Sequence, residues 1–159
     1  MKYFIVGYMA CGKTRKGREM AQEKGLRFVD LDAYVAERER CTIPEIFAER
    51  GEAGFRKLET RYLQEICELY ESFVMSTGGG APCFNGNMEY MNAQGYTIFL
   101  NTGVDIITAR LIRGKHKRPM VSGLDDRDIR DFVVKHLGER MKFYKMAKEE
   151  IENVEKPWN

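Results

Sequence analysis

Apolar positions along this chain come in short continuous runs that alternate with longer amphipathic stretches. Tyr3-Phe4-Ile5-Val6, Phe73-Val74-Met75-Ser76 and Tyr96-Thr97-Ile98-Phe99-Leu100 each read as a strand covered on both faces. Leu26-Arg27-Phe28-Val29-Asp30-Leu31-Asp32 reads as a further short strand that ends in two acids. Between these runs the period becomes that of a helix. Gly17, Met20 and Ala21 share one face of a helix over 13–24, which Gly25 is placed to end. Thr42-Ile43-Pro44-Glu45 has capping-box spacing and opens a helix through residue 50, stopped by Gly51. Phe55, Leu58, Tyr62, Ile66 and Leu69 then mark the buried stripe of a helix over 52–70. Shorter helices are expected at 33–40, 87–93 and 104–113, and a long one at 126–146 with the stripe Ile129, Phe132, Val133, Leu137, Phe143 and Tyr144. The charged tail from Ala147 has room for one edge strand. Strands that alternate with helices predict an α/β fold.

The joint between the first strand and the first helix carries a motif. Gly7-Tyr8-Met9-Ala10-Cys11-Gly12-Lys13-Thr14 is the G-x-x-x-x-G-K-[ST] pattern of a phosphate-binding P-loop, in its required place between strand and helix. Backbone N–H groups of such a loop point into its concavity, where the helix dipole also favours negative charge. Lys13 would reach the β- and γ-phosphates of ATP, and the Thr14 hydroxyl would sit on Mg²⁺. A Gly-rich turn that binds nothing is the alternative, and the flanking strand and helix weigh against it.

Further candidates follow from position. Asp30 and Asp32 alternate along a strand, so both would face one side at its carboxyl end, where ligands of open α/β sheets bind. Such a pair suits Mg²⁺ and a substrate hydroxyl, although Asp32 could merely cap the helix that follows. Gly78-Gly79-Gly80 after the third strand implies a close approach to the backbone. Arg56 beside its stripe would by itself be a solvated surface arginine. Arg140 lies on an inward helix face, where a guanidinium needs a partner, and an anion-binding role fits as well as snorkelling to the rim. The basic, Gly-flanked stretch 113–124 has no helical period and reads as a lid over phosphates. Cys11, at a helix N-terminus beside Lys13, is expected to be an unusually reactive thiol. His116 and His136 lack triad or metal-ligand spacing and receive no catalytic role.

Composition narrows the classes. The 159 residues make one domain, with 26 basic and 24 acidic side chains, so no nucleic-acid or membrane surface is expected. Four dispersed cysteines with no C-x-x-C pair, and a start directly in an apolar strand, fit a soluble cytoplasmic protein with free thiols. Monomer is the default state.

Taken in order, these elements resemble the shikimate kinase family from Lys2 to about Ala147. The resemblance rests on the P-loop, Phe28-Val29-Asp30-Leu31-Asp32, Glu45-Ile46-Phe47, Phe55-Arg56-Lys57-Leu58-Glu59, Thr77-Gly78-Gly79-Gly80-Ala81, Arg118-Pro119-Met120, and Arg140 ahead of Phe143-Tyr144. It implies a three-layer, doubly wound sheet of five parallel strands in order 2-3-1-4-5, of the P-loop NTPase type. A substrate-binding region over 32–60 and a lid over 113–124 would belong to the same domain. It implies transfer of the ATP γ-phosphoryl to the 3-hydroxyl of shikimate, with Mg²⁺, on the route to chorismate. Carried over, Ala10, Cys11, Gly12, Lys13, Thr14 and Arg118 would bind ATP, while Thr14 and Asp30 serve the metal. Asp32 would hold the reacting hydroxyl. Arg56 and Arg140 would clamp the carboxylate, and Gly78, Gly79 and Gly80 would line the ring hydroxyls. Lys13, Asp32 and Arg118 would be the catalytic group. Ala10 stands where the family usually has glycine, and Arg15 where a small residue is common. Arg110 and Arg113 are candidates beside adenine on position alone. A gluconate-type kinase and a non-catalytic nucleotide-binding module remain as alternatives.

Overall fold

In a computed structural model of the chain, which describes residues 1–115, 118 and 120–153, five strands form one parallel sheet in the order β2-β3-β1-β4-β5. β1 (Lys2–Val6) is central, with β3 (Phe73–Ser76) on one side and β4 (Tyr96–Thr102) on the other. β2 (Phe28–Asp30) and β5 (Glu149–Asn153) are the edges. This is the fold class and strand order that the resemblance implies. The helices are α1 (Lys13–Lys24), α2 (Leu31–Glu39), α3 (Ile43–Leu69), α4 (Asn87–Gln94), α5 (Val104–Arg113) and α6 (Asp126–Tyr144). After β1 the chain builds one half of the sheet, then returns to the other side of β1 with β4. The carboxyl end of β1 is therefore the switch point at which open α/β sheets bind ligands.

The central strands are sealed: Phe4, Ile5, Val6, Phe73, Val74 and Met75 are wholly buried, with the Phe4 and Phe73 rings edge to face at 5.5 Å. α1 lies close against the sheet because Gly17 has no side chain; a Cβ there would stand 2.5 Å from the Phe28 ring. Gly25 ends α1 in the left-handed conformation at φ 66°, which glycine adopts without penalty. Thr42 and Glu45 form the expected capping box at the start of α3. Gly51 (φ 69°, ψ −179°) breaks the helical path inside α3, so the expected stop is a kink between two helical segments.

Three expectations are corrected. β2 stops at Asp30, and Asp32 belongs to the first turn of α2 rather than to the strand. Asp30, not Asp32, is the helix cap, accepting from the Ala33 N–H at 3.1 Å. The two acids fit the strand period, yet the same spacing also places a cap and a first-turn acid on a helix. Leu69 has the phase of the buried stripe but is the last residue of α3 and is 60% exposed. Glu59, an acidic residue, is by contrast wholly buried at 0%. Within the basic stretch 113–124, His116, Lys117 and Pro119 lie outside the described residues, as does the tail from 154. Around them, Val121 and Ser122 donate backbone N–H bonds to the Arg118 carbonyl, and Val121 is fully buried. No helix among the described residues is long and apolar enough to cross a membrane.

Candidate active site

A cavity of about 470 Å³ opens at the carboxyl ends of the strands. Ala10, Gly12, Lys13, Thr14, Asp30, Asp32, Gly78, Gly79 and Arg118 line it, together with Arg110. Strand, loop and helix converge here because β1 feeds Gly7 directly and α1 starts at Lys13. Lys13 is nearly buried, and its ammonium donates to the carbonyls of Gly7 at 2.8 Å and Tyr8 at 2.9 Å. Those bonds hold the charge at the loop's mouth. Ala10 takes φ 61°, a left-handed conformation that costs an alanine about 1–2 kcal/mol and a glycine nothing. Thr14 is exposed in the first turn of α1.

The three glycines after β3 each make room for one charged side chain. A Cβ on Gly78 would lie 2.9 Å from Asp32 Oδ1, and one on Gly80 would lie 2.4 Å from Arg56 Nη2. One on Gly79 would meet the Met9 backbone nitrogen at 3.1 Å and Arg140 Nη1 at 3.5 Å. The Gly79 carbonyl is itself held by the hydroxyl of buried Tyr144 at 2.6 Å. Asp32, Arg140 and Arg56 are thus gathered along one glycine segment that faces the P-loop.

Arg56 is mostly buried rather than solvated, as its sequence context alone would suggest. It donates to Glu59 at 3.1 Å and stacks over the Phe84 ring at 4.3 Å. Burial raises the Glu59 carboxyl to about 7, with the Arg56 charge acting the other way. Burial, and after it the neighbouring Asp30, raise the Asp32 carboxyl, while Lys13 and Arg56 oppose the shift. Among the described residues, three buried side-chain polar atoms make no hydrogen bond: Asp32 Oδ1, Arg56 Nε and Thr108 Oγ1. Two of the three belong to this site, one an acceptor and one a donor. A buried polar atom without a partner costs about 1–3 kcal/mol, so its presence at a cavity points to a ligand.

Not every candidate joins the cavity. Cys11 is 1% exposed and sits behind the loop, 3.8 Å from the Lys13 ammonium, so a freely reacting thiol is not what the fold presents. Arg113 is exposed at the end of α5 and is not among the lining residues, whereas Arg110 reaches the Ala10 carbonyl at 3.0 Å. Arg56, Arg140 and Gly80 are not among the lining residues themselves; the two arginines adjoin the cavity through the glycine segment.

A family model for shikimate kinase matches residues 9–157. The chain belongs to the shikimate kinase family. The shikimate kinase of Bacteroides thetaiotaomicron is 46% identical over 147 residues, covering 92% of this chain and 83% of that protein. The crystal structure of the Bacteroides thetaiotaomicron enzyme superposes with a TM-score of 0.91 at 43% identity, over 99% of this chain and 90% of that one. The Acinetobacter baumannii shikimate kinase in complex with shikimate superposes at 0.83 and 32% identity, over 98% and 85%. A gluconokinase from Sinorhizobium meliloti, at 11% identity and a TM-score of 0.53, shares the fold alone.

Within this shikimate kinase family fold, one pair escaped sequence reasoning. The Tyr8 hydroxyl bonds His136 Nδ1 at 2.9 Å, joining the P-loop to α6 one turn before Arg140. Tyr8 is buried, which pushes its hydroxyl up to about 12, and burial with the Arg140 charge lowers His136. No spacing rule links residues 128 apart; only a contact does.

Proposed function

We propose that this chain transfers the γ-phosphoryl group of ATP to the 3-hydroxyl of shikimate, releasing ADP. The observation that carries the reading is the unpartnered, buried Asp32 Oδ1 beside the P-loop cavity. A carboxylate held there, with its affinity for a proton raised by burial, wants a hydroxyl to donate to it. Arg56 and Arg140 offer a guanidinium pair for a carboxylate on the same small acceptor, and the free Nε of Arg56 is a donor in want of an anion.

The roles then follow. Lys13 steadies the β- and γ-phosphates against the loop amides of Gly12 and its neighbours. The acceptor hydroxyl attacks the γ-phosphorus in line; its O–P bond forms as the bond to the β-γ bridging oxygen breaks. Asp32 orients that hydroxyl and receives its proton. Arg118, on the cavity wall, neutralises charge on the transferring group. Positioning and charge stabilisation are the bulk of what phosphoryl transfer asks of a protein. Thr14, Asp30 and Asp32 present only oxygen donors to the cavity, which suits Mg²⁺, a hard ion that keeps several waters and shares substrate phosphates. Thr14 and Asp30 would hold it. Mg²⁺ would supply neutralisation of phosphate charge. The stretch 113–124 is assigned the lid, and 32–60 the acceptor side. A cytoplasmic location fits the dispersed thiols.

The test is ADP release with ATP and Mg²⁺, with and without shikimate. Shikimate-dependent ADP is expected, and gluconate should give none. Asp32→Asn should lower kcat by about 100-fold or more while ATP binding stays near wild type. ADP release indifferent to shikimate would overturn the acceptor, and a fully active Asp32→Asn would overturn the role of Asp32.

A further inference from the structure

Two carbonyls in the middle of the P-loop are held from behind. The Cys11 carbonyl accepts from Thr102 Oγ1 at 2.8 Å and from Asn153 Nδ2 at 3.2 Å. The Ala10 carbonyl accepts from Arg110 at 3.0 Å. Thr102 ends β4 and is 2% exposed, and Asn153 is its register partner on β5, so the two donors stand side by side on adjacent strands. Asn153 Nδ2 and Arg110 Nη1 also bound the outer side of Gly12, where an added Cβ would meet them at 3.6 and 3.7 Å.

A trans peptide unit is planar, and its C=O and N–H point in opposite directions. The unit that carries the Cys11 carbonyl also carries the Gly12 N–H. Two donors pulling that carbonyl backward therefore turn the Gly12 N–H forward, into the loop. At φ 101° Gly12 has the backbone freedom to be turned either way, so its orientation has to come from outside.

We propose that Thr102 and Asn153 are positioning residues for the nucleotide: by gripping the Cys11 carbonyl from the ends of β4 and β5, they aim the Gly12 N–H at the bound phosphates. The proposal rests on the reading of the cavity as an ATP site. Thr102 is buried behind the loop, while Asn153 also lines a smaller cavity beside Gly12 and Arg15. Preorganised amides cost no reorientation when the anion arrives, which is where their value lies. The hydroxyl of Thr102 is the stronger and better buried of the two grips, and the amide of Asn153 makes the order of the last strand count at the phosphate site.

The experiment measures the dissociation constant of ATP by calorimetry, and KM for each substrate, in wild type, Thr102→Val, Thr102→Ser and Asn153→Ala. Valine keeps the branched shape and removes the donor; serine keeps the donor. Thr102→Val is expected to weaken ATP about five- to tenfold, the range one hydrogen bond carries. Its KM for shikimate should stay within about twofold, and Thr102→Ser should recover most of the ATP affinity. Asn153→Ala, at the sheet edge, should weaken ATP by about two- to threefold with the same selectivity. Equal ATP binding by wild type and Thr102→Val would overturn the proposal, as would a serine variant no better than valine or an equal rise in both KM values. Should Thr102→Val fail to fold, an Asn153→Ala variant with wild-type ATP affinity would overturn it. A wild-type chain that binds no ATP would instead overturn the reading of the cavity, which separates the two failures.

Discussion

A methyl group on Gly80 would press on Arg56 Nη2 at 2.4 Å and Nη1 at 2.6 Å. The guanidinium has little freedom to withdraw, since Glu59 binds one edge and the Phe84 ring covers a face. Gly80→Ala should therefore displace Arg56 and raise KM for shikimate by about tenfold, with KM for ATP nearly unchanged. Steady-state kinetics with each substrate varied in turn checks this; an unaltered shikimate KM would mean that Arg56 has room to spare. The triple glycine was legible in the sequence as a place of close approach. Which groups approach was not, because Gly80 sits at φ −90°, open to any residue. What it supplies is space for a side chain 24 positions away, and space of that kind belongs to the tertiary structure. The same limit applies to Tyr8 and His136.

Arg56 and Glu59 lie one turn apart on α3, and the helix delivers both to the interior behind the glycine segment. Periodicity placed that face correctly through Phe55, Leu58, Tyr62 and Ile66, but no polarity pattern marks a glutamate as wholly buried. Glu59 is buried because Arg56 comes with it. Its carboxyl is raised from 4.5 to about 7, so the folded chain holds this proton more tightly than the unfolded chain does. The stability this contributes is complete below pH 4.5 and is lost as the pH rises through about 7. Urea unfolding between about pH 5 and 8 should show wild type losing on the order of 1–3 kcal/mol relative to Glu59→Gln, which has no proton to release. Parallel pH profiles for the two proteins would show that Arg56 keeps Glu59 ionised throughout. The junction of β2 with α2 shows how an element boundary is misread. No loop separates them, so Asp30 is at once the end of a strand and the cap of a helix, and strand alternation ran two residues too far.

Across the whole molecule, the order of elements made the sheet legible, because each strand run alternates with a helix, and the motif fixed which strand end carries the phosphates. The sheet leaves two edges. β2 contributes only Phe28–Asp30, too short to template another strand, and β5 presents Glu149, Glu150 and Glu152. Two of these are engaged within the chain, Glu149 by the Tyr96 hydroxyl and Glu150 by Lys145 and Asn101, which keeps the edge charged and occupied. Pairing β5 with its copy would stack glutamates against glutamates, the means by which natural edges resist association. The site gathers its residues from the P-loop, the end of β2, the glycine segment after β3, and α1, α2, α3, α5 and α6 of one chain, with Arg118 beside them. Catalysis thus asks nothing of a second copy. We therefore expect a monomer, and light scattering should return a mass near 18.5 kDa that does not grow with protein concentration or with salt. A mass that doubled only at high salt would mean that the glutamates are what holds the edges apart. A doubled mass at low salt would mean that a surface other than this charged edge joins two chains.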